Sequence, residues 1–176
     1  MNALEVDLTR IAELAAARHD EFEVLLYQLQ NDDDIDDAKL DRVVEEIATP
    51  IRRAIDCTKC ANCCRSIDIF IVPEDIEILA QGTGHTIMEV MTQFVENPDG
   101  GDEMKLKSCP CRFLKGKLCS VYEHRPESCR SYPAFTPEFR WTLENTIQGA
   151  SICPIIYNVL SELVERVDSL YPAISK

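Results

Sequence analysis

At 176 residues, with 45% hydrophobic side chains and nine cysteines, the chain can bury a real core and is far richer in thiols than an ordinary cytosolic domain. Its net charge of −13 argues against a broad surface for nucleic acid or an anionic membrane. No apolar run approaches the roughly 20 residues that span a bilayer, so no membrane association is expected. The amino terminus, MNALEVDLTR, lacks a basic start followed by an apolar stretch. A reducing cytoplasm is therefore the expected compartment, one in which lasting disulfides do not form.

In chain order, Leu4, Leu8, Ile11, Ala15, Phe22, Leu25 and Leu29 follow an alternating 4–3 spacing, interrupted only at Arg18. This predicts one long helix with a single apolar stripe. Five aspartates within residues 31–37 read as a polar turn that also places negative charge at the start of the next helix. Leu40, Val44, Ile47, Ile51 and Ala54 continue a second stripe, in which Thr49-Pro50 predicts a break or kink, with Thr49 as N-cap and Pro50 at the first helical position. Residues 1–56 are thus expected to form an acidic helical hairpin. Residues 1–50 hold 14 Asp/Glu against 4 Lys/Arg, a balance of −10, while the rest of the chain holds 17 against 14, a balance of −3. Such a hairpin could serve a protein partner or self-association.

Four cysteines then fall within eight residues, as Cys57-x-x-Cys60-x-x-Cys63-Cys64. Thiolates three apart in a tight turn can face one ion or cluster, which is why the spacing recurs in zinc and iron–sulfur sites. Adjacent side chains such as Cys63 and Cys64 diverge, so the pair points to a second ion or to bridging ligands. Further cysteines follow at 109, 111, 119, 129 and 153. Basic residues gather near them in sequence, Lys59, Arg65, Arg112, Arg125 and Arg130 among them. Positive charge near thiols lowers their pKa and offsets the charge of a thiolate site.

Between the cysteines, residues 67–72 predict a short strand. Pro73-Glu74-Asp75 opens a helix to about Ala80, stopped by Gly82 and Gly84. A further helix is predicted over 86–96 and an exposed turn over 97–101. Lys115-Gly116-Lys117 predicts a small β-hairpin carrying Cys111 and Cys119. Residues 126–130 read as one helical turn presenting Cys129, and 154–170 as an amphipathic helix. The expected fold is mainly α with a small β-hairpin. A cysteine-rich, metal-centred domain over 57–176, closed by the C-terminal helix, would follow the hairpin of 1–56.

The run Cys57-x-x-Cys60-x-x-Cys63-Cys64, with Cys111-Arg112-Phe113-Leu114, Cys119-Ser120-Val121-Tyr122, Arg125-Pro126-Glu127-Ser128-Cys129-Arg130-Ser131-Tyr132-Pro133 and Cys153-Pro154, resembles the YkgJ-like CxxCxxCC family. That family is described as a zinc- or iron-chelating domain and includes flagellin lysine N-methylases. The resemblance implies metal ligands at Cys57, Cys60, Cys63, Cys64, Cys111, Cys119, Cys129 and Cys153, and leaves Cys109 as an extra. Eight thiolates exceed what one tetrahedral ion can use, which favours iron, as an iron–sulfur cluster or polynuclear thiolate centre, over a single zinc. Burying that charge needs compensation, for which Arg125 and Arg130 are the candidates beside the cofactor.

Other candidates are weaker. His19 and His85 read as surface or turn residues; His124 lies nearest the cysteines in sequence. Glu123 and Asp68 could offer oxygen, although surface carboxylates are the simpler reading. No phosphate-binding glycine motif and no nucleotide or methyl-donor fold can be recognised. The leading expectation is a cytoplasmic iron-binding protein capable of redox or metal-assisted chemistry. The alternatives are a structural-zinc interaction module and, from the resemblance alone, an enzyme related to protein-lysine N-methylation.

Overall fold

The computed structural model describes residues 3–97 and 103–175, and is mainly α-helical with small antiparallel β elements. The described residues fall into two compact units. One lies within Met1–Asp56 and Pro133–Lys176, the other within Cys57–Tyr132.

The chain enters the first unit through α1 (Leu8–Ala17) and α2 (His19–Asn31). The Asp7 carboxylate accepts the Arg10 N–H at 2.9 Å and so caps α1. One continuous helix was expected here, but Arg18, the one position where the apolar stripe skips, leaves the helical conformation at φ −103° and ψ 9° and divides it in two, while its N–H still bonds the Leu14 carbonyl at 2.9 Å. Arg18 there pairs with Glu21 at 2.8 Å and lies 5.6 Å from the Phe22 ring centroid. The stripe itself stays buried, from Ile11 and Ala15 to Phe22, Leu25 and Leu29.

Helix α3 (Asp37–Ala54) is capped by Asp36, whose side chain accepts the Lys39 N–H at 2.8 Å. The aspartate run therefore does start this helix. The break expected at Thr49-Pro50 is absent: α3 passes through Pro50, and the Thr49 hydroxyl donates to Glu45 Oε1 at 3.1 Å instead of capping. An interior proline costs about 3 kcal/mol. Val43, Val44, Ile47, Ala48 and Ile51 are buried around it, and each fully buried Val or Ile returns about 1.5–3 kcal/mol. Burial wins over local propensity.

The second unit begins with two single turns, α4 (Cys57–Cys60) and α5 (Cys63–Ser66). Strand β1 (Phe70–Ile71) leads into α6 (Pro73–Thr83), which has proline in its first turn and Gly84 as its left-handed C-cap at φ 70°. Gly82 is not a stop but lies inside α6. A Cβ there would sit 2.5 Å from His124 Cβ, so the glycine makes room for the histidine. Helix α7 (Ile87–Phe94) opens on a reciprocal cap: Thr86 Oγ1 accepts the Glu89 N–H at 3.3 Å and Glu89 Oε2 accepts the Thr86 N–H at 2.8 Å. The turn expected at 97–101 lies, beyond Asn97, outside the described residues.

Strands β2 (Val95–Glu96) and β3 (Met104–Leu106) join β1 in an antiparallel sheet of order β1-β3-β2, with Phe70 opposite Lys105 and Val95 opposite Leu106. The expected hairpin follows as β4 (Leu114–Lys115) and β5 (Leu118–Cys119), turning through Gly116 at φ 65°; it carries Cys119, whereas Cys111 precedes it. A 3-10 turn at Tyr122–His124 precedes α8 (Glu127–Ser131). The core of this unit gathers Ile71, Leu79, Val90, Phe94, Leu106 and Phe113. Phe94 and Phe113 meet edge to face at 5.3 Å.

The chain then returns to the first unit as α9 (Phe139–Gln148), a 3-10 turn at Gly149–Ser151 and α10 (Pro154–Ile174). Asp41 in α3 caps α9, its two carboxylate oxygens accepting the N–H groups of Glu138 and Phe139, each at 2.9 Å. Arg140, 6% exposed, donates to the carbonyls of Gln30 and Asp32 at 3.1 and 2.8 Å. Asn158 binds both the N–H and the carbonyl of Glu5. By internal contacts, α10 groups with the N-terminal helices rather than with Cys57–Tyr132. Among the described residues, no helix is long and apolar enough to cross a membrane.

Candidate metal centre

The first cysteine set lies on the two short turns. The Ala61 N–H closes α4 onto the Cys57 carbonyl at 3.1 Å, and Ala61 itself adopts φ 57°, which redirects the chain into α5. Cys57 is exposed, whereas Cys60, Cys63 and Cys64 are half-buried. Arg65 secures this arrangement: one guanidinium nitrogen donates to the Cys60 carbonyl at 3.0 Å and another to the Gly116 carbonyl at 2.9 Å. The same residue thus ties the first cysteine turn to the tip of the β-hairpin. A second tie is the Cys111 N–H donating to the Cys64 carbonyl at 2.7 Å.

Cys111 is buried in the core of the unit, and Cys64, Cys119 and Cys129 pack against that core. Cys129 is delivered by α8, which is held at its first turn by Asp75. That carboxylate, 2% exposed, accepts the Glu127 N–H at 2.8 Å and the Val72 N–H at 3.0 Å. The Ser128 hydroxyl adds a bond to the Phe70 carbonyl at 2.6 Å.

The four thiols sense one another. A hydrogen bond from Cys63 lowers Cys64 from its ordinary 9.0 to about 6, with Arg65 and Arg125 reinforcing it against the opposing effect of burial. Burial pushes Cys129 up to about 12, and the nearby Cys111, Cys64 and Cys119 sulfurs push the same way. Cys111 and Cys119 are likewise raised, first by burial and then by Cys64. One sulfur is therefore poised as a thiolate among three kept as thiols.

The charge of Arg125 helps to lower Cys64 and opposes the rise of Cys119. Its guanidinium lies 3.5 Å from the Tyr122 ring centroid and its Nε donates to the Tyr122 carbonyl at 2.6 Å. Arg130 pairs with Glu127 at 2.6 Å and donates to the Arg125 carbonyl. It braces the turn that carries Cys129. Cys109 is exposed, its thiol donating to the Arg65 carbonyl at 3.4 Å. Cys153 is buried in the other unit as the N-cap of α10, its N–H donating to the Gly149 carbonyl at 2.9 Å.

No disulfide joins any of the nine cysteines. Among the described residues, no three Cys, His, Asp or Glu side chains are already set to hold an ion. The donor chemistry nevertheless fits a thiophilic metal: soft sulfur ligands on separate elements, partly desolvated and flanked by guanidinium groups. In the sequence Arg65 is only one of several basic neighbours, Asp75 reads as a helix-opening residue and Ser128 as part of the motif around Cys129. Nothing in a linear pattern shows that a carboxylate two residues into a helix will be buried against a helix 50 residues away.

The chain matches no curated protein and no solved structure. The family model named CxxCxxCC, described as a "putative zinc- or iron-chelating domain", matches residues 56–154, more than half of the chain. The chain belongs to the CxxCxxCC family.

Proposed function

We propose that this protein binds iron through a thiolate centre built on the Cys57–Tyr132 unit, with Cys64, Cys111, Cys119 and Cys129 as its inner ligands and Cys57, Cys60 and Cys63 alongside. The observation that carries this reading is the gathering of four cysteines from four separate segments against one core, with Cys63 bonded to the first of them. Eight cysteines lie in one unit, seven of them without Cys109, and these exceed the four that a tetrahedral zinc site uses, whereas an iron–sulfur cluster or a polynuclear centre can employ the surplus. Cys153, which the resemblance also implies as a ligand, belongs to the other unit and is not part of this proposal. A bound metal would supply Lewis-acid or electron-transfer chemistry. The chain's own part is to keep the sulfurs partly dry, to offset their charge with Arg65 and Arg125, and to brace Cys129 through Arg130 and Asp75.

Single serine replacements of Cys63, Cys64, Cys119 and Cys129 test this reading, with metal per chain measured after each. Complete loss of iron from Cys64→Ser, Cys119→Ser and Cys129→Ser, with retention in Cys109→Ser, is the expected pattern. Full metal content in all of these variants would remove the assignment. If Cys63→Ser and Cys64→Ser each lose a different fraction of the metal, the two serve different ions.

A structural zinc is the second reading, and it rests on the shortness of the elements that carry the ligands. Helices α4, α5 and α8 hold five of the cysteines in four or five residues each, too short to persist without tertiary support. A zinc that fastened them would contribute directly to folding. Colourless protein that unfolds on chelation would favour it over iron.

A further inference from the structure

Helices α2 and α10 leave between them a groove of about 390 Å³ in the first unit. Val24 from α2 and Val164 and Val167 from α10 line it with apolar surface, while Asp20, Glu21 and Asp168 edge it with carboxylates. Val24 is 55% exposed although it lies one turn after Asp20 on the same helix face. Glu21 is engaged by Arg18, whereas Asp20 and Asp168 make no ion pair among the described residues. The surroundings share that sign: residues 1–56 and 133–176 hold 20 Asp/Glu against 9 Lys/Arg, a balance of −11, whereas residues 57–132 hold 11 against 9.

We propose that this groove docks a basic amphipathic helix of a partner protein, its apolar side chains against Val24, Val164 and Val167 and its lysines or arginines opposite Asp20, Glu21 and Asp168. The arrangement matches helix-in-groove recognition, in which anchors at i, i+3, i+4 and i+7 enter an apolar trough and the rim charges select the partner. Charge chooses between occupants. A second copy of this chain would bring one −11 unit against another, and like charges face to face are penalised. The inference is independent of which metal the cysteines hold.

The test is fluorescence anisotropy of the full chain, as purified, with a labelled synthetic helix carrying leucines at i, i+3, i+4 and i+7 and lysines on its flanks. A scrambled peptide of the same composition and a version with glutamate in place of lysine are the controls. The designed helix is expected to bind at least tenfold tighter than either control. Asp20→Asn with Asp168→Asn should weaken it roughly threefold to tenfold, as two rim charges allow, and Val24→Asp at least tenfold. Val24 is exposed, so its replacement leaves the fold intact, which the circular dichroism melting curve of the variant verifies. Equal binding of the scrambled peptide would overturn the proposal by reducing the groove to a nonspecific acidic surface. So would a self-associating chain whose dimer dissociates on Val24→Asp, because the groove would then belong to a second copy.

Discussion

The Asp75 carboxylate accepts the Glu127 backbone N–H at 2.8 Å, and this bond joins the start of α6 to the start of the turn that presents Cys129. With its other oxygen on the Val72 N–H, Asp75 serves two helix N-termini from a position only 2% exposed. Asp75→Asn puts a donor where one of the two N–H groups needs an acceptor. A buried group left without its partner costs about 1–3 kcal/mol. Urea unfolding of Asp75→Asn should show a loss in that range, accompanied by faster alkylation of Cys129. An unchanged midpoint would mean that α8 is held by other contacts.

Gly82 and His124 form a second tight pair. An alanine at 82 would bring its Cβ to 2.5 Å from the His124 Cβ, inside any normal contact, and overpacking of this kind costs about 1–3 kcal/mol. Gly82→Ala should therefore lower the melting temperature even though alanine is the better helix former. The Cβ contact survives any truncation except to glycine, so the partner change is His124→Gly. Adding it to Gly82→Ala should reverse part of the loss. Equal melting temperatures for Gly82→Ala and the native chain would contradict the packing.

Cys64 and Cys129 should behave oppositely with pH in the metal-free protein. The fold lowers Cys64 to about 6, chiefly through the Cys63 hydrogen bond. Its contribution to stability is therefore complete above the ordinary value of 9.0 and is lost as pH falls through about 6. The fold raises Cys129 to about 12, chiefly by burial. That contribution is present below 9.0 and is lost as pH rises through about 12. Iodoacetamide should label Cys64 with a midpoint near 6 while Cys129 remains unreactive. Cys63→Ala should move the Cys64 midpoint upward more than Arg125→Ala does. A Cys64 midpoint near 9 would refute this electrostatic picture.

Arg65 spans two carbonyls, Cys60 at 3.0 Å and Gly116 at 2.9 Å, with different nitrogens of one guanidinium. Lysine carries a single ammonium and cannot reproduce that fork. Both Arg65→Ala and Arg65→Lys should weaken metal retention on the order of tenfold to hundredfold, as loss of a ligand-orienting neighbour does. Competition with a coloured chelator measures the change. Retention by Arg65→Lys equal to that of the native chain would make Arg65 a source of charge only.

Much of this arrangement was legible in the sequence, because the informative signals are local. The apolar stripes through Phe22 and Val44, the hairpin around Gly116 and the turn bearing Cys129 each follow from spacing within a few residues. What escaped depends on burial. Pro50 reads as a break until the packed neighbours around it are known. Gly82 reads as a stop until His124 is found against it. Helix α9 carried a usable signal in Phe139, Leu143 and Ile147, spaced four apart and all buried. The sheet did not, because β2 and β3 hold only two and three residues and too little alternation to register.

The most direct measurement is the iron, zinc and acid-labile sulfide bound per chain in protein purified without oxygen, taken together with its visible spectrum. At least one iron per chain with visible thiolate-to-iron absorption is the predicted result, and sulfide in proportion would define the centre as iron–sulfur. A colourless protein with stoichiometric zinc, or one with no bound metal, would contradict the assignment of iron to these cysteines.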